Sequence, residues 1–163
     1  MKRIFLLLLT VVTLNFSCSS DKEENNSEQD NIVGTWQISK VNIDATASGE
    51  LEFAKGIIDL LLSKNCNLLE FTFNANGTMV TKSKIDALKV SQNSEGTGLE
   101  ILCPEETEIE EASWFLKEGK LTITNDQEER VLNITLTENS LEMEGKDVDA
   151  QKYKGAQLIF KKV

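Results

Sequence analysis

The chain has 163 residues, 40% of them hydrophobic and only one of them proline, a composition that supports one folded domain and excludes a disordered polar chain. It carries 17 basic and 27 acidic residues for a formal charge of −10, and it has no histidine. Ser-His-Asp and Cys-His catalysis and His-containing zinc sites are therefore excluded, and nucleic acid is a poor partner because its phosphates need clustered Lys and Arg.

Lys2 and Arg3 precede an apolar run from Ile4 to Phe16, broken by Thr10, Thr13 and Asn15, that ends at Ser17-Cys18. A basic start, an apolar stretch and a small residue before a cut predict a signal peptide over residues 1–17. The run is shorter than the roughly 20 apolar residues a spanning helix needs. The segment resembles a bacterial lipoprotein signal through Leu14, Ser17 and Cys18, although Asn15 and Phe16 stand where small or aliphatic residues are usual. The resemblance implies a palmitate-type lipid on Cys18, with secretion of an unmodified Cys18 as the alternative.

Ser19-Ser20-Asp21-Lys22-Glu23-Glu24 is similar to the surface-export tract of Bacteroidota-type lipoproteins, which implies a lipid-anchored protein of the outer membrane facing the medium. A plain solvated linker has the same composition. Loss of residues 1–17 leaves 15 basic against 27 acidic groups, a formal −12, so a lipid rather than charge would have to hold the protein on an anionic membrane. Ser19 to Asn31 contains no apolar residue and predicts a flexible acidic tether over 18–31. The folded domain is then expected over 32–163.

Within that domain Trp36, Ile38, Val41 and Ile43 mark a first strand whose inward parity switches near Ser39-Lys40, as at a bulge. Residues 49–64 have helical spacing: Leu51, Ala54, Ile58, Leu61 and Leu62 form a stripe widened by Phe53, Ile57 and Leu60. Ser48 can cap this helix, and so wide an apolar arc predicts burial on more than one side, across a barrel mouth or against a sheet. Phe71 and Phe73 alternate into the turn Asn74-Ala75-Asn76-Gly77 and a partner strand from Thr78 to about Ile85. Trp114 and Leu116 lead through Glu118-Gly119 into Leu121 and Ile123. Leu132, Ile134 and Leu136, then Leu141 and Met143, then Leu158 and Phe160, complete seven or eight strands with polar turns, the pattern of an antiparallel barrel or sandwich.

Gly34-Thr35-Trp36, with the stretches Leu69 to Thr78, Ser113 to Thr124 and Ile134 to Leu141, resembles the lipocalin and calycin group, and in particular lipocalin-like domains of bacterial surface lipoproteins. The resemblance implies a mainly β fold: an antiparallel up-and-down barrel of about eight strands with one helix inserted between the first and second. It implies that Trp36 lies at the closed end under a basic residue of the last strand, for which this chain offers Lys161 or Lys162. The helix is also similar to the portal helices of fatty-acid-binding proteins. Their basic carboxylate-binding cluster is missing here, since Arg130 is the only arginine beyond the leader.

With Cys18 lipidated, Cys66 and Cys103 remain as an even pair in an oxidising setting, and a disulfide is expected, with two buried thiols as the alternative. It would close a loop of about 38 residues. Glutamates 105, 106 and 108 surround Cys103 with the wrong sign for a nucleophilic thiolate. They continue into Glu110 and Glu111, and Asp126, Glu128 and Glu129 form a second acidic run. Either could hold calcium weakly, but neither has EF-hand spacing, and a solvated face is the simpler reading. No catalytic pair, metal site or cofactor is singled out.

Trp36, Phe71, Phe73, Trp114 and Leu116, with Ile58 of the helix, are the candidate residues lining a pocket, and the same side chains could instead fill the barrel. The expected function is a non-enzymatic binding domain for a small hydrophobic or amphipathic ligand. The alternative is a structural or protein-interaction lipoprotein at the cell surface with a filled barrel and no cavity.

Overall fold

A computed structural model describes residues 23–126, 128–148 and 153–163. The expected signal peptide and the Cys18 lipidation site lie outside the described residues. Along the chain run α1 (Glu23–Ile32), β1 (Gly34–Ile43), α2 (Gly49–Ser63), β2 (Leu69–Phe73), β3 (Thr78–Ser83), β4 (Val90–Gln92) and β5 (Leu99–Ile101). They are followed by β6 (Glu108–Lys117), β7 (Lys120–Thr124), β8 (Glu129–Leu136), β9 (Ser140–Glu144), α3 (Gly145–Val148) and β10 (Ala156–Lys162). Eight strands close an antiparallel barrel in the order β1-β10-β9-β8-β7-β6-β3-β2, with α2 between β1 and β2.

The turns follow from backbone chemistry. Gly77 takes φ of 81° between β2 and β3, and Glu118 and Gly119 are both at positive φ between β6 and β7, as a two-residue primed hairpin turn requires. Strand alternation then places Trp36, Phe73, Leu116, Leu121, Leu141 and Phe160 in a fully enclosed core. The Trp114 ring meets Phe73 edge-on, with centroids 5.5 Å apart. The bulge expected in β1 lies between Ile38 and Lys40, where the register against β10 shifts. It keeps Val41 inward, opposite Leu158.

Two elements differ from the sequence expectation. From Glu23 to Asn31 the expected tether is helical, as part of α1, and its residues 18–22 lie outside the described residues. Ile32 is fully buried, Gln29 Nε2 donates to the Leu116 carbonyl at 3.3 Å, and Trp36 Nε1 donates to the Ile32 carbonyl at 2.7 Å, so tertiary contacts offset the poor propensity of the segment. The second is a ribbon of β4 and β5, inserted between β3 and β6 as a separate two-stranded sheet.

Ser48 Oγ caps α2 by accepting from Leu51 N. Of the wide apolar arc only Leu51 and Leu61 are buried, while Phe53 and Leu60 are exposed. The physical reason is that α2 lies against the barrel from one side, at β1. β2 registers with β1 only from Gly34 to Gln37, and α2 packs beside β1 with one face inward and the other in solvent.

Candidate functional site

The barrel has two unlike halves. At one end the turns at residues 74–77, 118–119 and 137–139 and helix α1 surround the enclosed aromatic core. The other end, bordered by Ile85, Asp86, Asn125, Glu128, Val148 and Tyr153, holds an open cavity of about 460 Å³. Its volume falls in the range of small-molecule sites.

The cavity floor is apolar: Leu69, Phe71, Met79, Ala112, Ile123, Leu132, Met143 and Leu158 line it. Each sits on the inward side of its strand, in the rows that cross the barrel as Phe71–Thr81–Glu110 and Met79–Ala112. Around the mouth lie Asp86, Glu108, Glu110, Glu111 and Glu128, with Arg130 as the single cation among the described lining residues. Arg130 forms an ion pair with Glu128. Thr81, Ser83, Asn125 and Tyr153 supply further polar groups.

Of the six residues expected to line a pocket, Phe71 does so. Trp36, Phe73, Trp114 and Leu116 are buried in the closed half, where they fill the barrel. Ile58 is half-buried on α2, and no residue of α2 lines the cavity. The division has a steric origin: large aromatics face one another at the closed end, and smaller or unbranched side chains, Ala112, Met79 and Met143 among them, line the open half. Sequence reading missed Ala112, Met79, Leu132 and the two glutamates of inward parity. The available signal was parity, because Glu108, Glu110 and Ala112 lie at even spacing from Trp114.

Cys66 and Cys103 form a disulfide with Cα atoms 5.7 Å apart. Cys66 follows α2 and Cys103 follows β5, so the bridge fastens the ribbon to the helix exit. Ile101 of β5, nearly buried, packs into the same cluster as Leu61 and Leu68. Outside the barrel, Glu70 is buried and accepts from Gln37 Nε2, Asn67 Nδ2 and Lys82 Nζ, each at 2.9 Å. Burial alone would raise its pKa, but these donors outweigh burial and hold it below the usual glutamate value. Among the described residues no three acidic or cysteine side chains converge as metal ligands do, and no helix is long and apolar enough to cross a membrane.

A family model described as a lipocalin-like domain matches residues 32–143. Among solved structures the chain is similar to a lipocalin-like protein from Bacteroides uniformis, with 16% identity over 82% of this chain and 99% of that one and a TM-score of 0.42. No curated protein matches the chain.

Proposed function

The chain belongs to the lipocalin-like domain family, and from that premise we propose that it is a non-enzymatic binding protein for a small hydrophobic or amphipathic molecule, tethered to the outer membrane by a lipid on Cys18 and facing the medium. The cavity carries this reading: about 460 Å³ with an apolar floor and a polar rim is space that a purely structural barrel has no reason to leave unfilled. The aromatic plug at the closed end supports it too, since it gives the cavity a rigid base against which a ligand can be held. The anchoring part rests on the run from Lys2 to Cys18 and the acidic tract after it.

Native mass spectrometry of the protein purified from membranes tests both parts. A co-purifying small molecule that leaves on organic extraction, together with an acyl mass on Cys18, is the expected result. A ligand-free protein that also takes up no apolar fluorescent probe would overturn the binding reading. An unmodified Cys18 would overturn the anchor. The variant Ala112→Trp, which puts a large ring into the cavity opposite Met79, should reduce probe uptake at least about tenfold, equivalent to roughly 1.4 kcal/mol.

A further inference from the structure

Strands β6 and β8 invert the usual rule for a barrel wall. On β6 the row of inward parity reads Glu108, Glu110, Ala112, Trp114, Leu116, so two solvent-exposed glutamates stand at the mouth above the apolar floor, while Ile109 between them points outward and is 62% exposed. On β8 Arg130 faces in, opposite Ile123, and its neighbour Val131 faces out and is 49% exposed. A strand that only had to build a wall would do the reverse, placing Ile109 and Val131 on the inner side and the charges on the outer side. Five carboxylates against one guanidinium give the described mouth a formal −4, and the one guanidinium is already paired with Glu128.

We infer that the cavity selects an amphiphile with a positively charged head group, an alkyl ammonium rather than a fatty acid, holding the apolar tail on the Phe71–Met79–Leu132 floor and the head at the Glu108–Glu110 collar. This rests on the binding function proposed above and names its ligand class. Low-dielectric walls around a collar of one sign focus its field into the mouth, which raises the local concentration of cations and lowers that of anions. The carboxylates do not converge into a metal-ligand cluster, so the collar acts on a diffuse organic cation through its field.

Calorimetric titration of the intact folded protein with three amphiphiles of ten-carbon chains below their micelle concentrations provides the test: decyltrimethylammonium, decyl glucoside and decanoate. The ammonium should bind at least about tenfold more tightly than decanoate at low salt, with the ratio shrinking as salt screens the collar. Glu108→Gln with Glu110→Gln should bring the ratio toward one. Glu118→Gln with Glu138→Gln, which removes the same charge from exposed turns at the closed end, should leave it unchanged. Decanoate binding as tightly as the ammonium overturns the inference and leaves the binding function standing. Equal loss of selectivity in both double variants overturns it as well, by reducing it to adsorption on an acidic surface. Binding of none of the three overturns the inference, and uptake of an apolar fluorescent probe by the same sample then decides whether the binding function stands.

Discussion

Lys162 Nζ sits 5.2 Å from the centroid of the Trp36 ring and donates a hydrogen bond to the Asn31 carbonyl at 2.9 Å. The last strand thus clamps the first-strand tryptophan and the end of α1 at once. Lys162 and Trp36 are register partners across β1 and β10, and Trp36 is fully buried. Lys162→Met, which keeps much of the aliphatic stem, should remove the cation–π and hydrogen-bond terms and cost about 1–2 kcal/mol in urea denaturation. An unchanged midpoint and slope would show that the ammonium contributes nothing to the closed end.

Gly34 makes that clamp sterically feasible. Its φ is +133°, and a Cβ there would come within 2.8 Å of Lys162 Cε. Gly34→Ala therefore meets backbone strain, and it pushes the flexible end of Lys162 off Trp36; a loss of about 1–3 kcal/mol is expected. In a double-mutant cycle with Lys162→Ala there is no clamp left to displace and the strain stays, so the glycine substitution should cost less in the lysine variant but still cost something. Strict additivity of the two would disprove the steric coupling.

The disulfide is the main long-range tie of the ribbon. Its partners are separated by 37 residues, and closing a loop of that length stabilises the folded state by about 4 kcal/mol in the chain-entropy account. Replacing Cys66 and Cys103 together by Ser should lower the urea midpoint accordingly. Adding a reductant to the wild type should have a similar effect, and to the double variant none.

Glu70 gives the fold a pH dependence with a defined sign. Its folded-state pKa lies below the unfolded value, so its contribution is fully present above the usual glutamate range and is lost as pH falls through the lowered folded value. Denaturation midpoints should fall with acidification over that interval, and Glu70→Gln should flatten this slope. Glu70→Leu should cost about 1–3 kcal/mol at neutral pH by stranding Gln37, Asn67 and Lys82. A wild-type slope retained in the Gln variant would assign the effect to other carboxylates.

The wall of the barrel was legible because Phe71-x-Phe73, Trp114-x-Leu116 and Leu121-x-Ile123 alternate cleanly and are joined by Gly77 and Gly119. The β1 bulge and the Ser48 cap were legible for the same local reason. The β4–β5 ribbon was not: Val90 and Leu99 are exposed and Ile101 alone packs inward, leaving almost no periodic signal. Helix α1 was missed because its order comes from contacts with residues far along the chain, Leu116 and Lys162. The candidate site was half legible. Alternation told which residues face inward, but whether inward side chains meet and fill the space or leave it open depends on strand tilt and on which rows lie opposite, and neither is written in a local pattern. The acidic run at residues 105–111 reads as a solvated face, and Glu108 and Glu110 are solvent-exposed; what the run alone does not tell is that their even parity with Trp114 sets them at the barrel mouth.

Helix α2 carries an avoidable cost on its exposed side. Gly56 sits in the helix interior, and a Cβ built there would meet no atom within 4 Å. Gly56→Ala should therefore reduce the entropy of the unfolded chain without creating a contact, stabilising the protein by about 1 kcal/mol in urea denaturation. Because no residue of α2 lines the cavity, the same variant should bind an apolar probe with unchanged affinity. A loss of probe binding alongside the gain in stability would mean that α2 must move, or open locally, for a ligand to enter, and would place the portal beside β1 instead of at the acidic collar.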